Sequence, residues 1–488
     1  MRLLHQRSWL MTKTFSALAI ALSLAGCSSM TRVETPQTAA PSPVAFESAI
    51  DGFGQSAPPA KWWQLYQDDT LNQLVEQAIE ANRDLRVAQA NLKRARALFD
   101  ETDSRRLPST SVDASLAYGD SIPVTGMPTS TRQWTDMGSF SVNWEADLFG
   151  RVSHALEAAD ADIARQQALR DGVALQVAAD TVEAYLRACT LTESKRVAEN
   201  SREVTRSQLE LTEQIQQAGA ATRADIESAR AALMTAEADI PALEAERQAQ
   251  LFRLAALLGS TRNQLPQTAL ECSSAPVLAD VTPVGNVADM LRRRPDLREA
   301  EQQLRSDTAL NSLAIAELYP SISVGGSINY FDSRQTTGDN WSFSVGPLIS
   351  WQFPNQLAGR ARVRQAEAQV ESSVAAFEGR IIQALQEVET ALTRVTSLDR
   401  QVDALEQAAE HAELAYKLTN LSKIAGTRSY RDVLETQREW LQARQAFLNA
   451  RQQQVAQRVT LFKALGGGWE ELPLTASQDN TASPTQQP

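Results

Sequence analysis

Four segments of this chain alternate apolar and polar side chains, and that period of two constrains the fold more than any other feature. Val112, Ala114, Leu116 and Tyr118 interleave with Ser111, Asp113, Ser115 and Ala117. Phe140, Val142, Trp144, Ala146 and Leu148 interleave with Ser139, Ser141, Asn143, Glu145 and Asp147. Ile322, Val324, Ile328 and Tyr330 form a third set, and Trp341, Phe343, Val345, Pro347, Ile349, Trp351 and Phe353 a fourth. Residues two apart in a strand share a face, so each segment has one apolar face and one small, polar face. About ten tilted residues cross a bilayer, and aromatic residues near the ends suit its interfaces. A half-buried sheet on a soluble core explains one such segment, but explains four less well. Four strands leave two open edges. In lipid those edges would strand unpaired N–H and C=O groups, so closure must come from other copies. Two copies give eight strands and a barrel filled by side chains; three give twelve and leave a lumen. The small polar faces suit the open version.

The N-terminus supports export. Arg2 to Lys13 is positive, and Thr14 to Leu24 is apolar but too short to span a bilayer as a helix. Leu24-Ala25-Gly26-Cys27 follows, and it resembles a bacterial lipobox, in which the Cys thiol is acylated and becomes the first residue. Residues 1–26 are therefore expected to be a signal peptide, with Met11 an alternative start, and Cys27 the lipidation site. Residues 27–60, rich in Pro, Ser, Thr and Ala, read as a lipid-anchored tether, and residues 475–488 as a disordered tail.

Between them the chain repeats itself. Asp84-Leu85-Arg86 recurs as Asp296-Leu297-Arg298, and Pro108-Ser109 as Pro320-Ser321. Trp144 recurs as Trp351, Gly219 as Gly426, Asp225 as Asp432, and Leu258-Gly259 as Leu465-Gly466. Ordered matches at two nearby offsets indicate duplication, not a solenoid. The repeats are placed at 61–266 and 267–474. Each is expected to hold a helix, two strands (about 109–118 and 138–148; about 321–331 and 341–353) and two long helices (about 151–218 and 222–258; about 360–425 and 429–465). The longer helices would run to roughly 100 Å at 1.5 Å per residue. Such lengths need partner helices throughout, as in a coiled coil. Pro241 predicts a kink.

The formal net charge of −12 argues against a nucleic-acid partner, which needs a basic surface to neutralise phosphates. His5 lies in the signal segment, and His154 and His411 stand alone on helices. With no metal-spaced cluster, phosphate loop or nucleophile elbow in the sequence, an enzyme is not expected, nor a cofactor beyond the lipid on Cys27. Cys189 and Cys272 could pair in an oxidising compartment, but two cysteines make no disulfide framework. Two buried small apolar residues is the plainer expectation.

Several segments together carry a family resemblance over nearly the whole mature chain. They are Trp62-Trp63 with Asp84-Leu85 downstream, Trp144-Glu145-Ala146-Asp147-Leu148-Phe149-Gly150-Arg151, Arg294-Pro295-Asp296-Leu297-Arg298, Leu318-Tyr319-Pro320 and Ala464-Leu465-Gly466-Gly467-Gly468-Trp469. With them the chain resembles the TolC/OprM-like outer-membrane factor family, and the lipobox points to the lipoprotein branch serving resistance-nodulation-division (RND) pumps. The resemblance implies an α+β membrane protein. A homotrimer would close a 12-stranded β-barrel, four strands per chain, continued by a long α-helical barrel with a mixed equatorial belt. The loops 119–137 and 332–340 would face outside. The implied role is a passive outer-membrane efflux duct, loaded by an inner-membrane RND-type pump and a periplasmic membrane-fusion adaptor. Its rivals are the duct of a type I protein secretion system and a structural coiled-coil spacer. The sequence identifies no cargo.

The resemblance also assigns residues. The hairpin turns at Gly219, Ala220 and Thr222, and at Gly426 and Thr427, would be adaptor-docking tips, although plain helix capping explains the same residue types. The segment 428–435 matches the family's periplasmic gate, which places Arg428, Asp432 and Glu435 in it. Asp432 and Glu435, three apart, can share a helical face, and three copies would make acidic rings. Lys423 stands where family members often have an aromatic, so a Lys423–carboxylate contact would replace a tyrosine latch.

Overall fold

The computed structural model describes residues 31–36, 45–48, 53–120, 132–276, 278, 282–333 and 340–467. Cys27, the signal segment and the C-terminal tail lie outside them. The elements in order are β1 (Phe53–Gly54), α1 (Asp69–Ala81), α2 (Arg83–Asp103), β2 (Ser109–Asp120), β3 (Arg132–Ala146), α3 (Arg151–Gln217), α4 (Arg223–Leu257), α5 (Gln267–Leu270), β4 (Thr282–Pro283), α6 (Val287–Arg293), α7 (Pro295–Ala316), β5 (Ser321–Ser333), β6 (Trp341–Ser350), α8 (Leu357–Ile424) and α9 (Tyr430–Ala464). The four long helices lie within a few residues of their expected bounds. β2 and β3 reach further into the loop between them than the alternation indicated, to Asp120 and from Arg132. Cross-strand pairing continues past the apolar residues, as in Gly119 opposite Gln133. β6 ends at Ser350, so Trp351 and Phe353 fall just beyond it. Helix α4 runs without interruption through Pro241, which removes one backbone donor but no turn.

Two compact units emerge, each drawing on both halves of the sequence. The first contains the sheet, ordered β2-β3-β5-β6 and antiparallel throughout. β2 and β6 are its edges, and the outer side of each pairs with no strand among the described residues. The duplication is visible in its side-chain bonds. The Trp144 indole donates to the Arg106 carbonyl at 2.9 Å, and Trp351, its repeat equivalent, to the Leu318 carbonyl at 3.0 Å. Residues 31–36 run against this unit. The Thr31 hydroxyl donates to the Phe149 carbonyl at 2.9 Å, and the Val33 N–H donates to the Ser312 hydroxyl at 3.0 Å.

The second unit holds the main apolar core. Trp62 and Trp63 are fully buried, and Trp62 stacks on Phe462 with centroids 4.7 Å apart. Leu71, Leu74, Leu186, Leu251 and Leu254 complete the contact between α1, α3 and α4. Short strands β1 and β4 pair in parallel, with Phe53 opposite Thr282. Each is only two residues long, too short for any alternation to announce it, and β1 falls in the segment expected to be a tether. Cys189 and Cys272 are joined as a disulfide, Cα–Cα 5.1 Å, correcting the expectation of two free, buried thiols. Cys189 is buried, but Cys272 is half-exposed on the segment after α5, which the bond fastens to α3.

Candidate functional site

The hairpin turns that close α3 onto α4 and α8 onto α9 are built alike. α3 ends with Gly219 at φ +78°, and α8 with Gly426 at φ +76°. A Cβ at either would meet no atom within 4 Å, so backbone conformation alone calls for glycine there. The Ala220 N–H reaches back to the Ile215 carbonyl at 3.0 Å, and the Thr427 N–H to that of Ser422 at 3.0 Å. These bonds satisfy carbonyls that the helix end would otherwise leave orphaned.

The following helices start on matching capping boxes. Thr222 caps α4: its hydroxyl accepts from the Asp225 N–H, and its own N–H donates to the Asp225 carboxylate at 2.8 Å. Ser429 caps α9 the same way, its N–H donating to Asp432 at 3.0 Å and its hydroxyl accepting the Asp432 N–H at 3.2 Å. The box satisfies two orphan donors reciprocally. The Thr222 hydroxyl and backbone hold the Asp225 carboxyl below its ordinary value, with a further push from the positive charge of Arg431.

Residues expected at the docking tips are all at the surface: Gly219, Ala220, Thr222, Gly426 and Thr427 are exposed. The four expected gate residues lie in the last turn of α8, the hairpin turn and the first turns of α9. Arg428 is exposed in the turn. The carbonyl of Lys423 accepts from the Gly426 N–H. Asp432 is half-buried and turned back onto Ser429. Glu435 is exposed and lines a groove of about 650 Å³ between α3, α4 and α9, along with Arg431, Arg438 and Asp239. Arg431 was not singled out from the sequence, although it sits inside the motif; its field on Asp225 depends on two hairpins meeting, which no local pattern encodes.

Ion pairs fasten α4 along α3: Lys195–Glu244 at 2.8 Å, Arg206–Glu237 at 3.3 Å, Arg230–Glu213 at 3.0 Å and Arg253–Asp180 at 2.9 Å. Each is partly exposed and individually weak, but their spacing fixes the register of the hairpin. Among the described residues no group of three or more potential metal ligands occurs, and no helix is long and apolar enough to cross a membrane.

An antiparallel sheet with an alternating apolar face and two open edges, in a chain that also forms two long capped hairpins, fits one subunit of a β-type membrane channel. Comparison with known proteins agrees. Residues 74–260 and 286–467 match the family model described as outer membrane efflux protein, and the chain belongs to that family. It is 29% identical over 464 residues to the pyoverdine export outer membrane protein OpmQ of Pseudomonas putida, covering 93% of this chain and 97% of that one. It is 30% identical over 472 residues to outer membrane protein OprJ of Pseudomonas aeruginosa, covering 93% and 96%. The solved outer-membrane channel OprN superposes with a TM-score of 0.81 at 30% identity, over 89% of this chain and 99% of that one. The protein is thus an efflux channel of the outer membrane that extends into the periplasm.

Proposed function

We propose that three copies of this chain close a twelve-stranded barrel through the outer membrane and continue it as a helical duct. The duct passively conducts small molecules delivered by an inner-membrane RND-type pump through a periplasmic adaptor. The carrying observation is the sheet: the outer edges of β2 and β6 pair with no strand among the described residues, while Val112, Phe343 and Val345 remain 77%, 83% and 78% exposed in the single chain. Exposed apolar side chains on a sheet with open edges call for lipid on one face and further copies at the edges. Twelve strands leave a lumen that eight would fill.

In this reading the exposed turns at Gly219–Thr222 and Gly426–Thr427 meet the adaptor. Arg428, Asp432, Glu435 and Lys423 surround the narrowest point of the duct, where three-fold symmetry makes each carboxylate a ring that favours cations. Cys27 carries the lipid that holds each subunit's N-terminus at the membrane. The pump, not the wall of the duct, selects the cargo. The test is planar-bilayer conductance of the purified protein with its mass fixed by light scattering. A trimer passing small, cation-selective currents supports the proposal; a folded monomer without conductance would overturn it in favour of a spacer.

A further inference from the structure

One of the two long helices that leave the sheet begins against the usual electrostatic preference. A helix N-terminus carries partial positive charge and favours acidic residues in its first turn. Helices α1, α2, α4, α6, α7 and α9 each have one there: Asp69, Asp84, Asp225, Asp289, Asp296 and Asp432. α3 and α8 have none, but α3 is capped from outside by Asp147, whose carboxylate accepts from the Val152 and Ser153 N–H groups at 2.9 Å, which leaves α8 as the one without an acid at its start. They open instead on Arg151, and on Arg360, Arg362 and Arg364. Arg105 and Arg106 lie at the same end of the sheet, just before β2.

Some of these cations are answered within the chain. Arg106 pairs with Asp103 at 3.2 Å, Arg151 with Glu145, and Arg362 with Glu317 at 3.8 Å. Arg105, Arg360 and Arg364 are exposed and have no anionic partner among the described residues. Their neighbours are apolar and just as exposed: Leu107 at 68%, and Phe353 and Leu357 at 65% and 77%. Trp351 stacks on Phe353 with centroids 4.6 Å apart. Leu357, Arg360 and Arg364 fall at i, i+3 and i+7, so one face of α8 passes from apolar to cationic within two turns. Aromatic and aliphatic groups followed at once by arginine match the order of a bilayer interface, acyl chain then phosphate.

We propose that Arg105, Arg360 and Arg364 form a headgroup-binding rim that holds anionic phospholipids of the periplasmic leaflet against the base of the barrel. The leaflet follows from the topology: these residues lie at the strand ends that lead into the helices, and the protein extends from the outer membrane into the periplasm. The occupant follows from charge and from continuity with the exposed apolar face of the sheet. The unfavourable first turn of α8 is then offset by phosphate oxygens rather than by the chain's own acids. The inference rests on the membrane placement of the sheet and is independent of the gate.

The test uses full-length protein in phosphatidylcholine vesicles, with quenching of tryptophan fluorescence by brominated phosphatidylglycerol or brominated phosphatidylcholine. Exposed Trp144 and Trp351 sit at the rim and report lipid contact there. An arginine at an anionic leaflet is worth about a fivefold preference, so three predict up to about a hundredfold for phosphatidylglycerol, reduced by salt. The triple variant Arg105→Gln, Arg360→Gln, Arg364→Gln should lose that preference while still being quenched by brominated phosphatidylcholine; the corresponding Lys variant should keep it. Equal quenching by both lipids in the parent protein, or an undiminished preference in the Gln variant, would overturn the proposal. Loss of the oligomer in the Gln variant would overturn it too, because the arginines would then face a neighbouring copy. Absence of quenching by either lipid would overturn the barrel along with the rim.

Discussion

Asn82 and Arg294 occupy equivalent places in the two halves of the chain, and each ties down the end of a long helix with its side chain. The Asn82 amide donates to the Leu257 carbonyl at 3.1 Å, and the Arg294 guanidinium to the Ala464 carbonyl at 3.0 Å. The same job is done by a neutral group in one half and a charged one in the other. Arg294 also holds Asp296 at 2.7 Å and Glu387 at 2.7 Å, with only 8% of its side chain exposed. Asn82→Ala should cost about 1–2 kcal/mol, the price of one orphaned carbonyl and a lost cap on α2. Arg294→Ala should cost more, about 3 kcal/mol, because two carboxylates lose their counter-charge. Denaturant unfolding of the purified protein checks the order; equal costs would mean that Arg294 acts only as a cap.

The Cys189–Cys272 bond closes a loop with a sequence separation of 83 residues. Cross-linking so long a loop restricts the unfolded chain, and its removal typically costs about 2–5 kcal/mol. Cys189→Ser with Cys272→Ser should therefore lower the unfolding midpoint and leave conductance unchanged, since the bond fastens the segment after α5 and no turn of the hairpins. Thiol titration of the denatured parent protein should find neither Cys189 nor Cys272 reactive until reductant is added.

Asp296 makes part of this junction sensitive to acid. Burial opposes its ionisation, but the hydrogen bonds and charge of Arg294 outweigh that and hold its carboxyl below the ordinary 3.8. A depressed value in the folded state stabilises at pH above the unfolded value and is lost as pH falls through the folded one. Asp296→Asn should thus unfold at lower temperature than the parent at pH 7, and the gap should close below about pH 4. A gap that persists undiminished in acid would place the loss in packing. Asp171 runs the opposite way: burial raises its carboxyl despite Arg170 and Arg298, so it contributes nothing that acid would remove.

The four sheet strands, the long helices and the duplication were legible because each is a local, periodic signal: side chains two apart in β2, β3, β5 and β6, three and four apart in α3, α4, α8 and α9. The turns were legible for a related reason, since Gly219 and Gly426 are each followed by a capping residue within three positions. What escaped was set by contact across distance. Cys189 and Cys272 become neighbours only when the segment after α5 folds back on α3. The partnership of Asn82 with Leu257 was hidden because its repeat counterpart is an arginine, and a match of residue types overlooks a match of roles. Arg431 acts on Asp225 across two hairpins, so nothing in the residues beside either one marks it.

The proposed gate can be tested only after its carboxylates are separated by task. Asp432 is already engaged, accepting the N–H of Ser429 at 3.0 Å as part of the box that starts α9. Asp432→Ala removes a cap worth about 1 kcal/mol together with a charge, so an open channel in that variant could reflect a frayed helix. Asp432→Asn keeps an acceptor for the Ser429 N–H and removes only the charge. Glu435 makes no capping bond and faces the groove with Arg431 and Arg438, so Glu435→Gln is a clean loss of charge. If paired acidic rings hold the constriction, the double variant Asp432→Asn, Glu435→Gln should keep the parent's unfolding free energy within about 1 kcal/mol. It should also lose cation selectivity and pass larger single-channel currents. Larger currents in Asp432→Ala but not in Asp432→Asn would locate the effect in the helix start. Unchanged currents in a folded double-variant trimer would remove both residues from the gate and leave the barrel standing.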